Sequence, residues 1–202
     1  MPRSVYLDAY LAPLRPWLER ETVTEIIVNR PGELWIEDAN QPGMQRIRLD
    51  ALDDQLLQRL AEQVARISHQ GVNREHPLLA ATLPDGARIQ LVGPPATRRH
   101  WALAIRRHRL LDLPLDAYDR GPIALPEAAA APDPVAEPIE FLRHAVRQRK
   151  TILVSGGTST GKTTFLNALL REIPEQERVI LVEDTAELRL PGQNGLGLIA
   201  VK

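Results

Sequence analysis

The chain has 202 residues, 44% of them apolar and 25% charged, with a formal net charge of −1 and no cysteine. These values suit a globular protein of one large or two small domains; they exclude disulfides and thiolate metal sites and give no basis for nucleic acid coating the whole surface. No run approaches the roughly 18 apolar residues of a membrane span, and the opening segment, interrupted by Asp8 and Pro13, does not read as a secretory signal, so the expected location is the cytoplasm.

In chain order, Leu7, Tyr10, Leu11, Leu14, Trp17 and Leu18 recur at helical spacing, with Pro13 and Pro16 ending or kinking that helix. Glu25 to Asn29 (EIIVN) and Leu34 to Glu37 (LWIE) read as strands, and Arg30-Pro31-Gly32-Glu33 between them is turn chemistry, which predicts a hairpin. Gln45 to Leu49 alternates and suggests a third strand. Leu57, Leu60, Ala61, Val64 and Ile67 form one face of a helix. A loop follows, then Ala87 to Val92 and Trp101 to Arg106 as two more strands joined by Gly93 to His100. This is an antiparallel sheet with helices against it, an α+β module.

Residues 112–138 carry Pro114, Pro122, Pro126, Pro132, Pro134 and Pro138 with an alanine run. Proline removes backbone donors and disfavours helix before it, so the segment reads as a semi-rigid linker. It separates an N-terminal domain, 1–111, from a second one, 139–202. The second opens with a helix from Ile139 to about Arg149, Pro138 suiting its first turn. Thr151 to Ser155 (TILVS) reads as a strand, Phe165 to Leu170 as a helix and Val179 to Glu183 as a second strand, a β-α-β unit of a parallel sheet. Leu198 to Val201 starts another strand.

Between the first strand and its helix stands Gly156-Gly157-Thr158-Ser159-Thr160-Gly161-Lys162-Thr163, a complete G-x-x-x-x-G-K-[ST] loop. Glycine lets the backbone turn its N–H groups inward, where they and the helix N-terminus hold phosphate oxygens. Lys162 would reach the β- and γ-phosphates and the Thr163 hydroxyl would sit on Mg²⁺. A glycine-rich surface loop is the competing reading, which the strand–loop–helix context disfavours. The expectation is a site for a nucleoside triphosphate.

Glu183 and Asp184 follow directly on a buried strand. In a parallel sheet they would lie on the same edge as the phosphate loop, where a carboxylate can orient the attacking water or hold the Mg²⁺ hydration shell. The competing reading of Asp184 is a turn cap; Glu187 reads as a surface residue. The basic run Arg98, Arg99, Arg106, Arg107, His108 and Arg109 suits anionic headgroups, a neighbouring subunit or solvated strand ends equally. Arg143, Arg147, Arg149 and Lys150 decorate a helix face. The five histidines, His69, His76, His100, His108 and His144, show no zinc-ligand spacing.

The strings SGGTSTGKTTFLNALL at 155–170 and EDTAEL at 183–188 resemble the secretion traffic ATPases, specifically the type IV secretion and conjugal-transfer branch. YLAPLRPWL at 10–18, VTEIIVNRPGELWIE at 23–37 and LPDGARIQLVGPP at 83–95 resemble the same group, so the likeness covers nearly the whole chain. The resemblance implies an α/β fold: an N-terminal α+β antiparallel-sheet domain and a RecA-like nucleotide-binding domain with a parallel sheet. It implies homo-hexameric rings in which ATP hydrolysis with Mg²⁺ powers export, conjugation or pilus assembly beside other apparatus subunits. The ring would be cytoplasmic and peripheral on the inner membrane, with no direct nucleic-acid site evident. By motif it places the catalytic glutamate on Glu183, phosphate-reaching arginines on Arg88 and Arg106, and nucleotide contacts on 156–164, Thr164 included; Thr163 and Asp184 are the metal candidates. A guanidinium suits the arginine role through its fixed charge and forked donors; the competing reading of each is a solvent-facing strand arginine.

Members of that family continue well past this point, with a second acidic strand (Walker B) and a histidine-containing segment. The chain stops at Lys202, which predicts an incomplete nucleotide domain that binds ATP without efficient turnover. Two alternatives follow, a nucleotide-binding assembly module and a pilus or type II secretion ATPase. A small-molecule kinase shares the loop but leaves the N-terminal domain without a purpose.

Overall fold

Two hairpins and their neighbours build the larger part of the computed structural model, which describes residues 5–107, 131–157 and 160–201. The chain divides into two compact units, Met1–His108 with Glu175–Lys202, and Arg109–Pro174. It enters as α1 (Val5–Leu11), a 3₁₀ turn (Ala12–Leu14) and α2 (Arg15–Leu18), with Pro13 and Pro16 at the starts of the second and third pieces. Proline has no N–H to give and is tolerated only in a first turn, so the helix ends and restarts at Pro13 and Pro16, as the sequence predicts.

Strands β1 (Val23–Val28) and β2 (Glu33–Asp38) pair antiparallel, Ile27 opposite Trp35 and Ile26 opposite Ile36. Gly32 in their turn has φ +82°, a conformation open to glycine at little cost. Strand β3 (Met44–Arg48) joins β2, and α3 (Asp54–Ile67) follows, capped by Asp53, whose carboxylate accepts from the Leu56 N–H at 2.7 Å. Strands β4 (Leu78–Thr82), β5 (Arg88–Val92) and β6 (Ala102–Arg106) complete a six-stranded sheet of order β3-β2-β1-β6-β5-β4, antiparallel throughout.

One face of this sheet supplies Ile26, Leu34, Ile36, Ile89, Leu91 and Ile105 to a core closed by Leu57, Leu60 and Val64 of α3 and by Leu7 and Leu14. The predicted apolar face of α3 is therefore the core face. Strand β4 stands where the sequence suggests only loop. Its LLAAT string lacks alternation and buries one side chain, Leu79, so its place at the sheet edge comes from pairing with β5.

The second sheet is a parallel pair, β7 (Val179–Glu183) and β8 (Gly195–Ile199). The strand expected from Leu198 thus begins at Gly195. Residues 175–201 group with the N-terminal residues, whereas the sequence assigns them to the phosphate-loop domain. The reason is polar and backbone bonding: Asn29 Nδ2 donates to Asn194 Oδ1 at 2.9 Å in a buried pair, Arg46 reaches Gln193, and the Ile199 N–H donates to the Ala96 carbonyl at 2.7 Å.

The smaller unit holds α4 (Pro138–Arg147), with proline at its start as expected, and α5 (Lys162–Leu170), linked by Arg143 Nε to Glu172 at 3.2 Å. The expected strand over Thr151 to Ser155 is not formed: residues 151–157 carry no regular structure and Leu153 is 90% exposed. A strand exists only through ladder bonds to a partner, and β7 takes β8 as its own. The expected β-α-β unit is corrected accordingly. Most of the linker, from 112 to 130, lies outside the described residues.

Candidate nucleotide site

Gly161, with φ +86°, turns the chain into α5 and makes Lys162 its first residue. Its carbonyl accepts the Phe165 N–H at 2.9 Å, closing the first helical turn. Upstream, the Thr160 hydroxyl donates to the Gly157 carbonyl at 2.9 Å, and a Cβ at Gly156 would stand 2.8 Å from that hydroxyl oxygen. Glycine at 156 is thus a steric requirement of the turn. The Lys162 ammonium donates to the Gly156 carbonyl at 2.9 Å and also to that of Gly157. The cation is therefore gathered over the loop at the positive end of a nine-residue helix. Thr163 and Thr164 stand in the first turn of that helix. Thr158 and Ser159 lie outside the described residues.

This arrangement fits a polyphosphate: a glycine turn leading into a helix N-terminus, with one ammonium gathered over it. For Mg²⁺ the fit is narrower. Among the described residues no three His, Cys, Asp or Glu side chains converge. Thr163 is the hydroxyl directly after Lys162 in the loop, and Mg²⁺ commonly takes only one or two protein ligands beside substrate phosphates. Asp184 is exposed and belongs to the other unit.

The remaining candidates all lie in the larger unit. Arg88 and Arg106 stand directly opposite each other across β5 and β6, and Glu25 is opposite Arg106 across β1. These three line a cavity of about 410 Å³ with Thr82 and Gln90. Among the described residues neither guanidinium has a hydrogen-bond or salt-bridge partner, although like charges facing across strands repel. Glu183 ends β7. Its Oε1 accepts from the N–H groups of Leu188 at 2.8 Å and Glu187 at 2.9 Å, and its Oε2 is paired with Arg98. Burial pushes this carboxyl up, but the two amides and the Arg98 charge outweigh that and hold it below the ordinary glutamate value.

The family described as Type II/IV secretion system protein matches residues 8–198. The chain belongs to that family. It is 42% identical over 218 residues to the type IV secretion system protein PtlH of Bordetella pertussis, covering 98% of this chain and 61% of that protein. It is 34% identical to the type IV secretion system protein VirB11 of Brucella suis, over 94% of this chain and 55% of that one. The crystal structure of the VirB11 ATPase from the Brucella suis type IV secretion system in complex with sulphate superposes with a TM-score of 0.86 at 33% identity, covering 97% of this chain and 64% of that one. The chain thus spans about three fifths of the length of these relatives. Its fold class, an antiparallel-sheet domain with a separate parallel pair, is that of the VirB11 ATPase structure.

Within this secretion-family fold, one functional candidate escapes sequence reading. Arg98 sits in a basic run that suits anionic headgroups, a neighbouring subunit or solvated strand ends equally, and nothing local ties it to Glu183. Arg107 of the same run donates to the backbone carbonyls of Arg20 and Val23, whereas His108 and Arg109 lie outside the described residues. No helix among the described residues is long and apolar enough to cross a membrane.

Proposed function

We propose that the chain is the nucleotide-binding part of a motor subunit that hydrolyses ATP to power type IV secretion, conjugal transfer or pilus assembly. The observation that carries this is Lys162, held as the first residue of α5 over a glycine turn, in a chain matched to the family over residues 8–198. Gly156, Gly157, Thr158, Ser159, Thr160 and Gly161 would wrap the phosphates with backbone amides, Thr164 closing the same helical turn. Lys162 would release the loop carbonyls for the β- and γ-oxygens. Thr163 would be the protein ligand of a Mg²⁺ ion bound with the nucleotide and Asp184 would hold its water shell, and such an ion would supply charge neutralisation at the phosphate oxygens. Arg88 and Arg106, forked cations with no hydrogen-bond or salt-bridge partner among the described residues, would take phosphate charge. Glu183 would orient the attacking water. The working assembly is a homo-hexamer on the cytoplasmic face of the inner membrane, among other apparatus subunits.

The test is equilibrium binding of an ATP analogue with Mg²⁺ to the 202-residue chain, together with steady-state phosphate release. Lys162→Ala is expected to weaken binding at least about 100-fold, the loss of a charge-assisted contact. Unchanged affinity in that variant removes the site. Binding without phosphate release favours the assembly-module reading over the motor.

A further inference from the structure

The parallel pair β7–β8 is closed on one side only. Beyond β8, the Ile199 N–H donates to the Ala96 carbonyl at 2.7 Å, the Arg98 N–H to that of Gly197 at 3.4 Å, and Thr97 bridges Leu198. Beyond β7 no strand follows among the described residues. The Val179 N–H donates to the Asn194 carbonyl at 3.0 Å and the Glu183 carbonyl accepts from Ala200 at 2.9 Å, so the odd-numbered residues of β7 bond toward β8. The N–H and C=O of one strand residue point the same way and alternate along the strand, so those of Ile180 and Val182 face the open edge. Their side chains are 48% and 75% exposed. The edge strands of the larger sheet differ. Strand β3 carries Arg46 and Arg48, charges that discourage pairing, and β4 ends in Ala80, Ala81 and Thr82, which offer little apolar area. Strand β7 (VILVE) is apolar up to its last residue and holds no lysine or proline, the composition that invites a further strand.

We propose that this edge is an interface between two copies of the chain, β7 pairing antiparallel with β7 of the second copy about a two-fold axis at Leu181. The strand's own self-complementarity names the occupant. Centred on Leu181, Ile180 meets Val182 of the second copy and Val182 meets its Ile180, each pair exchanging two main-chain hydrogen bonds. The same register sets Arg178, one residue before the strand, opposite Asp184, one residue after it, at both ends. Moving the centre to Ile180 sets Val182 against Arg178, and moving it to Val182 sets Ile180 against Asp184. Leu181 is therefore the centre that matches apolar with apolar and cation with anion. Arg178 has donors to give: its Nη2 reaches Asn29 Oδ1 only at 3.4 Å and its Nε has no partner, while Asp184 is exposed. Pairing turns two two-stranded ladders into one of four strands, and three or more is what a sheet needs to be stable by itself. Such a contact is isologous and stops at two copies, unlike the head-to-tail contacts of a ring. It does not depend on the nucleotide role proposed above.

The experiment measures the mass of the 202-residue chain by sedimentation equilibrium over a concentration series. A reversible monomer–dimer equilibrium is expected. Val182→Lys should raise its Kd at least about 10-fold by charging the edge. Arg178→Asp should raise it about 10-fold, since it sets like charges opposite each other at both ends, and adding Asp184→Arg should bring it back to within about three-fold. The register is read by cross-linking, because the chain has no cysteine of its own. In Leu181→Cys the two copies' Cα atoms would lie about 4.5 Å apart across the axis, within disulfide reach. In Val179→Cys a four-residue offset would hold them about 13 Å apart, out of reach. Mild oxidation is expected to join the first variant and not the second. A chain that stays monomeric at every concentration overturns the proposal, whether the edge is bare or covered by the chain's own 151–155 segment. So does an assembly that Val182→Lys leaves intact, or equal cross-linking of the two cysteine variants. If Arg178→Asp does not fold, Val182→Lys and the cross-links decide.

Discussion

Leu60 in α3 is completely enclosed, whereas Leu169 in α5 stays partly exposed, and the pair stands for the units that carry them. The larger unit encloses side chains from both its sheet and its helices; among the described residues of the smaller unit, Ala145 alone is buried. Yet the smaller unit carries the phosphate loop. A sheet is held by apolar area removed from water, about 25 cal/mol per Å². A phosphate loop needs only a left-handed glycine, a steric gap at Gly156 and a helix start, all within a few residues. Chemistry at this site is local, while the structure that supports the arginines and Glu183 is long-range.

The comparison can be broken most directly by matched truncations. Leu60→Ala is expected to cost about 2–5 kcal/mol through lost burial and a residual cavity. Leu169→Ala is expected to cost about 1 kcal/mol, because part of its area is already in water. Urea unfolding of the full chain measures both, and equal losses would end the contrast. Glu33 gives the next effect. Its side chain is 4% exposed, and burial favours the neutral acid, but hydrogen bonds from Arg30 and Arg46, the Arg30 charge and the Trp35 N–H hold it below its ordinary value of 4.5. A folded value below the unfolded one makes the stabilisation complete above pH 4.5 and progressively lost as pH falls through the folded value. Acidification should therefore lower the urea midpoint. Glu33→Gln should cost about 1.5–3 kcal/mol at neutral pH and flatten that acid slope; an unchanged slope would assign the sensitivity to another carboxylate.

What can be read from the sequence divides along the same line. The β1–β2 hairpin is legible because EIIVN and LWIE flank Arg30-Pro31-Gly32-Glu33, and α3 because its apolar spacing coincides with the face it buries. The phosphate loop is legible because its determinants are contiguous. Strand β4 is not, since LLAAT owes its conformation to hydrogen bonds with β5. TILVS at 151–155 errs the other way, having strand composition without a strand partner. The pairing of Arg98 with Glu183 is invisible because Glu183 lies 85 positions later, and Gly197 marks a close approach only once β8 lies beneath the Arg98 side chain.

The remaining effects are smaller and separate support from chemistry more finely. Asp53 caps α3 from outside the helix, so Asp53→Ala should cost about 1 kcal/mol in the larger unit and leave nucleotide affinity unaltered; a change in affinity would tie the core helix to the phosphate loop. Arg88→Gln should show the opposite pattern. Arg88 and Arg106 face each other without partners among the described residues, a repulsion that costs on the order of 0.2–1 kcal/mol. Removing one charge should therefore raise the urea midpoint slightly while ATP turnover falls. Those opposite signs are what a residue kept for a polyanion gives, because its charge is a burden to the folded chain until phosphate arrives. A variant that lost stability together with turnover would instead make Arg88 part of the sheet's own support.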